Sequence, residues 1–374
     1  MLAMKFTIAL IVAVAFSCVR TLPTSAYDKP VSSKLEAQLK LADKNRPALE
    51  AALAATTGAE QTAMEFLIAN MPKRDLTSLS KDFLVNNVHY ACKARAEVPW
   101  GAQLPDEIFL NDVAPYASIN ERRDDWRKDF YDRFMPSVKN CKTPGEAALL
   151  LNRETFRQFN VRYSTQRPKA DQSPYESAEA KTASCTGLSV LIIDACRAVA
   201  VPARMVGVPV WTSKAGGNHS WAEVWDSQWH YIGASESSKL DKGWFSGIAA
   251  KADATRPECR IYASSFAPTG TAFPLIWDLS IRYVHACDAT PFYTTRRNVK
   301  FEVTSAAGKP TAATVSLRLG GKLVAQASGE KSYEFALAGG LTYQAEIRTG
   351  DGKEATQEVR LTGDEGQSVK LVAK

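Results

Sequence analysis

Apolar residues over the first hundred positions recur at near-helical spacing. Leu35, Leu39 and Leu41 are followed by Leu49, Leu53, Met64, Phe66, Leu67 and Met71, a pattern that predicts helices from Ser33 to about Ala96. The alanine-rich stretch Ala51–Ala55 favours helix intrinsically. This region reads as a scaffold or docking bundle. Further on, the segment Leu104–Met135 passes from an apolar patch into a charged helix expected over Asn120–Phe134. Thr143-Pro144-Gly145-Glu146 then opens another helix, with Thr143 as N-cap, Pro144 in the first turn and Glu146 completing a capping box. That helix should reach about Phe156.

A polar loop, Tyr163 to Ala183, leads to the most informative stretch. Ser184–Ala200 carries Leu188, Leu191, Ile192, Ala195, Cys196 and Val199 on one broad apolar stripe, which predicts a helix. Pro202 ends it, and Ala203–Val210 reads as a strand. Gly216-Gly217 turns the chain into two more strands, Ser220–Trp225 and Trp229–Ile232. Later strands are expected near Arg260–Ser264 and Leu279–Cys287.

From Arg297 the period becomes two. Val299, Phe301 and Val303 alternate with polar residues, as do Val315, Leu317 and Leu319, and Gly320-Gly321 and Gly339-Gly340 supply turns. Tyr333–Phe335, Tyr343–Ile347, Val359–Leu361 and Val369–Val372 continue the series, as short strands of a β-sandwich do. The expected fold class is α+β. A helical N-terminal region covers 27–139, a mixed core 140–295 and an all-β sandwich 296–374.

Residues 1–26 stand apart. Lys5 precedes an apolar run from Phe6 to Phe16, and Thr24-Ser25-Ala26 offers a small-x-small site. That is the layout of a signal peptide cleaved after Ala26, and the run is shorter than a membrane span needs. Lipidation at Cys18 is the alternative, although Phe16 fits poorly before a lipidated cysteine. The mature protein is expected to be exported, secreted or periplasmic. Without residues 1–26, 44 basic residues face 40 acidic ones. That balance is too mild to suggest nucleic acid. No later segment is apolar enough to span a bilayer, and no Cys/His spacing suits a metal or cofactor.

Export makes disulfides possible, and the spacing of Cys259 and Cys287 would suit one. Cys185 must stay free if it acts as a thiolate. Cys196, within an apolar helix, reads as a small buried residue.

Cys185 opens its helix, between Ser184 and Thr186-Gly187. Backbone N–H groups at a helix N-terminus favour negative charge, which enlarges the thiolate fraction of a cysteine placed there. The same groups can hold the oxyanion formed when sulfur attacks an acyl carbon. Asn218-His219-Ser220-Trp221 supplies an imidazole able to take the thiol proton and return it to a leaving group. On a strand, His219, Trp221, Glu223 and Trp225 share one face.

Two stretches together, Ser184-Cys185-Thr186-Gly187-Leu188 with Asp194 to Arg204, and Asn218-His219-Ser220-Trp221-Ala222-Glu223-Val224-Trp225, resemble the transglutaminase-like superfamily core. That family pairs a cysteine heading a helix with an R-x-x-G-[IV]-P-A-R helix end and an H-x-W-x-E-V strand. Ala200 stands where glycine is usual. The resemblance implies a papain-like arrangement, with the cysteine helix packed on an antiparallel sheet. It also implies acyl-transfer chemistry on a protein or peptide, with Cys185 as nucleophile and His219 as base.

The third member of a triad departs from the family pattern. An Asp is usual on the following strand, in a pattern like W-x-x-x-D, but Trp229-His230-Tyr231-Ile232 leads to Gly233. Depending on the turn through Asp226–Gln228, His219 falls opposite Ala234, Ser235 or Glu236. Glu236 is the only carboxylate among them. It either orients the imidazole or is a solvated loop residue beside a dyad.

Asn152 or Gln158 is the candidate for a second oxyanion donor, Trp221 either walls the cleft or packs in the core, and Arg204 is expected in a structural ion pair. His230 and His285 read as core histidines. Hydrolysis of a peptide or side-chain amide is the leading expectation, followed by glutamine-amine cross-linking. A third reading, a non-catalytic module binding polypeptide or glycan, draws on Gly233.

Overall fold

A computed structural model describes residues 28–213, 216–236, 238–362, 364 and 366–373, with side chains from residue 33 onward. The export segment expected over residues 1–26 lies outside them. Helices Asp28–Leu41, Arg46–Ala54, Gly58–Asn70 and Lys81–Glu97 fill the region of helical apolar spacing. The last is capped by Ser80, whose Oγ accepts from the Phe83 N–H at 3.2 Å. Leu49, Met64, Leu67, Leu84 and Val88 join residues of the core in one continuous apolar cluster. The helical region is therefore packed directly onto the core.

The helix expected over Asn120–Phe134 runs instead from Arg127 to Val138. Side chains hold the preceding residues out of it. The Glu121 carboxylate accepts from the N–H groups of Ser118 (2.6 Å) and Ile119 (2.8 Å), and Arg123 reaches back to Asp75 at 3.0 Å. Such bonds offer the backbone an alternative to helix. Two buried arginines then fasten this region to the core. Arg127 donates to the carbonyls of Val113, Pro115 and Arg197, at 2.8 to 2.9 Å. Arg197 donates to those of Asp112, Ala203 and Ala117, at 2.8 to 3.1 Å.

In the core, α1 (Pro144–Phe159) starts at Thr143, whose Oγ1 accepts from the Glu146 N–H at 3.2 Å. The Glu146 carboxylate caps the N–H of Lys142 at 2.8 Å, so the expected box is shifted by one residue. Then come α2 (Cys185–Ala198) and the strands β1 (Ala203–Val208), β2 (His219–Trp225), β3 (Trp229–Ile232), β4 (Tyr262–Ser265) and β5 (His285–Asp288). They form an antiparallel sheet in the order β3-β2-β1-β4-β5. The strand expected over Leu279–Cys287 is shorter. Asp278 accepts from the Ser280 N–H at 3.0 Å and makes a turn, so pairing starts only at His285.

The two faces of β2 have different neighbours. Ala222 and Val224 belong to the cluster that contains α2, and Ser220 touches Thr186 of that helix. Trp221 belongs to a second cluster with Val206, Val208 and Phe245. Alternation along a strand puts His219 and Glu223 on the Trp221 side.

The sandwich holds β6 (Arg296–Ser305), β7 (Ala313–Leu319), β8 (Lys322–Glu330), β9 (Ser332–Ala338), β10 (Thr342–Thr349), β11 (Glu354–Arg360) and β12 (Gln367–Ala373). Its sheets run β8-β7-β10-β11 and β9-β6-β12, and their inner faces share one core that includes Phe301, Leu317, Tyr343 and Leu371. Among the described residues no helix is long and apolar enough to cross a membrane.

Cys259 and Cys287, spaced for a disulfide, are both free, as are Cys92, Cys141, Cys185 and Cys196. Cys259 is fully buried in the turn Pro257–Cys259, whereas the Cys287 sulfur meets the Lys322 ammonium at 2.8 Å.

Candidate active site

Cys185 is the first residue of α2. Ser184 is its N-cap; its Oγ accepts from the Gly187 N–H at 3.0 Å and donates to the Ala170 carbonyl at 2.6 Å. The first turn is closely packed at Gly187. A Cβ there would meet Ala183 Cβ at 3.1 Å and both Gln172 Cβ and Ser177 Oγ at 3.4 Å. With Gly187 capped, the N–H groups of Cys185 and Thr186 have no acceptor among the described residues. They are the unsatisfied donors of a helix start. The Cys185 side chain is partly exposed and its thiol is free.

His219 opens β2 opposite Val208. One hydrogen bond ties the two elements together at this end: Thr186 Oγ1 and Ser220 Oγ, each the next residue along, lie 3.1 Å apart. The imidazole itself points to the other face of the sheet, into an aromatic cluster. Ring centroids lie 4.8 Å away for Trp244, 5.0 Å for Phe245, 5.7 Å for Trp221 and 6.4 Å for Trp211. The residue is 8% exposed, and its Nε2 has no hydrogen-bond partner among the described residues. Burial alone pulls its pKa down to about 4, because a low-dielectric setting disfavours the cation. No carboxylate contributes.

The remaining candidates are placed as follows. Glu236 is exposed, beyond the end of β3, and its carboxylate takes a hydrogen bond from Trp244. The Trp244 ring in turn lies against His219, with centroids 4.8 Å apart. Asn152, buried on α1, accepts from the Ser235 N–H at 2.9 Å and donates to the Gly233 carbonyl at 3.0 Å. Its amide thus clamps the turn after β3, in which Ser235 has φ 65°. Gln158 lies half-buried in the last turn of α1.

Trp221 is buried and donates from Nε1 to the Tyr293 hydroxyl at 2.8 Å. Tyr293 donates to Glu223 at 2.6 Å, and Glu223 accepts from Arg204 at 2.6 and 2.8 Å. Asp226 accepts from the Gly145 N–H at 3.2 Å, joining the hairpin turn to α1. His230 pairs with Asp241 at 2.6 Å. Trp211, Trp244, Phe245 and Tyr293 were not singled out by the sequence. The aromatic density of Trp244-Phe245 was the available signal, but nothing local says which strand such residues will cover.

A helix headed by a free thiol thus packs on an antiparallel sheet whose adjoining strand begins with histidine. Residues 132–246 match the sequence model described as the core of the transglutaminase-like superfamily. Among solved structures, a candidate cysteine protease from Cytophaga hutchinsonii is similar over 29% of this chain and 36% of its own, with 20% identity and a TM-score of 0.25. The red sea bream transglutaminase is similar over 71% of this chain and 65% of its own, with 9% identity and a TM-score of 0.31. The matched stretch thus spans about a third of the first protein's length and just under two thirds of the second's. No curated protein matches.

Proposed function

We propose that the protein is an exported cysteine-dependent acyl-transfer enzyme that hydrolyses peptide or side-chain amide bonds. The observation that carries this reading is a free, partly exposed thiol at the head of a buried helix, beside two uncommitted backbone N–H groups. Cys185 Sγ attacks the carbonyl carbon, and its proton passes to His219, which is neutral at pH 7 and has an unpartnered nitrogen. The N–H groups of Cys185 and Thr186 receive the oxyanion. His219 then protonates the leaving amine, and water, deprotonated by the same imidazole, resolves the thioester. No carboxylate acts on His219, so this reading takes the site as a dyad. Transfer to a lysine amine in place of water would make the same site a cross-linker.

A non-catalytic reading is favoured by one observation: the imidazole faces away from the side on which α2 packs. Two measurements separate the readings. Cys185→Ala and His219→Ala should each lower amide hydrolysis by about a thousandfold or more while circular dichroism stays unchanged. Full activity in both variants would refute the proposal. With a glutamine donor and a fluorescent amine, release of ammonia without label marks hydrolysis, and stable incorporation marks transfer.

A further inference from the structure

Cys287 and Lys322 meet where the core sheet and the sandwich join. Cys287 lies on β5, in register with Ala263 of β4, and Lys322 opens β8, in register with Leu319 of β7. Leu323, the next residue, is buried in the main apolar cluster, which fixes the start of β8 against the core. Across this junction Lys322 Nζ sits 2.8 Å from Cys287 Sγ. That is as short as an N–H···O bond, about 2.9 Å, although sulfur is the larger atom. Neighbouring charges are committed elsewhere: Arg204 to Glu223 at 2.6 Å, Glu107 to Arg318 at 2.7 Å, and Asp288 to Arg260 at 3.8 Å. Lys322 forms no ion pair among the described residues, and the sulfur is its hydrogen-bond partner. The thiol is free and partly exposed. Both residues line a cavity of about 300 Å³, room enough for a small polar oxidant to reach the sulfur.

We propose that hydrogen peroxide converts this pair into a covalent sulfur–nitrogen link that ties the core sheet to the sandwich. The Cys287 sulfur attacks the peroxide, whose O–O bond breaks; sulfur is oxidised to a sulfenic acid and the peroxide is reduced, releasing water. The Lys322 ammonium gives one proton to solvent, and the freed lone pair attacks the sulfenyl sulfur. The S–O bond breaks as the S–N bond forms, and the departing oxygen takes the second amine proton and leaves as water. In sum, a thiol, an ammonium and a peroxide give a sulfenamide, two waters and a proton. A sulfenic acid is ordinarily resolved by a second thiol or by a backbone nitrogen. At Cys287 the group already seated on the sulfur is the side-chain nitrogen of Lys322, so proximity favours it over any group that must diffuse in.

The test is to treat the full chain with hydrogen peroxide, block it with iodoacetamide and digest it with trypsin for mass spectrometry. A linked peptide should join Cys287 to Lys322, with two hydrogens fewer than its two parts together. Trypsin should no longer cut after Lys322, and dithiothreitol should release the link. Lys322→Arg keeps the charge, but a guanidinium stays protonated and has no lone pair to attack with. With dimedone present during oxidation, Cys287 should therefore be labelled about tenfold more in Lys322→Arg than in the parent. Cys287→Ser should give no linked peptide. Absence of that peptide from the parent, equal dimedone labelling in parent and Lys322→Arg, or a disulfide from Cys287 to another cysteine in its place would overturn the proposal. Should either variant fail to fold, the parent's linked peptide decides alone. Cys185→Ala protein should give the same linked peptide, so the result is independent of the proposed catalysis.

Discussion

Desolvation sets the protonation state of His219. Its ring is enclosed by aromatic residues, and the pKa falls from the ordinary 6.5 to about 4. Between those values the unfolded chain takes up a proton that the folded chain refuses. The stability contributed by the neutral imidazole is therefore complete above pH 6.5 and is lost as pH falls toward 4. At 1.36 kcal/mol per unit, the loss amounts to about 3 kcal/mol. Carboxylates titrate in the same window, so the informative quantity is a difference between variants. His219→Phe, which suits the aromatic surroundings, should retain about 3 kcal/mol more of its pH 7 stability at pH 4 than the parent does, by urea unfolding at both pH values. Equal pH dependence in parent and variant would remove the buried-imidazole account. Trp244→Ala should reduce the difference, because Trp244 is 59% exposed and shields the ring from water.

At the scale of elements, the end of α2 shows how far a sequence can be read. Helix, break and strand were legible because Pro202 and the apolar stripe are local signals. The departure at Ala200 was legible too, and the structure supplies its cause. Ala200 has φ 55°, the left-handed conformation that suits glycine, and its carbonyl accepts from Trp100 Nε1 at 2.8 Å. The backbone shape outlasts the change of residue because neighbours hold it in place.

Ala200 is fully buried. Ala200→Gly trades strain relief of about 1–2 kcal/mol against a lost methyl and a freer unfolded chain, and should lie within about 1 kcal/mol of neutral. Ala200→Val adds β-branching at positive φ and volume where none is free, and should cost about 2 kcal/mol or more in urea unfolding. A stable Val variant would show that this turn can relax. By contrast, the helix before Arg127 was misplaced because Glu121 and Arg123 act through residues that the sequence places far off or that no periodicity marks. Sandwich strands were visible through period-two alternation. The aromatic cover of His219 was not, since Trp211 and Phe245 meet it only once the sheet is assembled.

At the scale of the whole molecule, the sandwich has a complete core of its own, yet it is fastened to the rest by a few polar contacts. The β2–β3 hairpin reaches it through the Ser227 carbonyl, which accepts from the Gln326 N–H at 2.7 Å. Gln228 Oε1 accepts from the Ala336 N–H at 2.8 Å. Arg318 pairs with Glu107 of the helical region through both nitrogens, at 2.7 and 3.1 Å. Arg296 pairs with Asp241 at 2.8 Å through two bonds, and Asp241 also holds His230. Single exposed ion pairs are worth little, but these are partly buried and two are bidentate. A unit with its own core unfolds together with its neighbour only while the docking contacts survive. Arg318→Ala combined with Gln228→Ala removes two of those contacts and leaves the sandwich core untouched. Calorimetry should then resolve two transitions where the parent shows one, with the sandwich melting separately from the helical region and core. If the double variant still melts as one cooperative unit, the apolar contact of Leu323 with the main cluster carries the coupling instead, and Leu323→Ala becomes the variant that splits the transition.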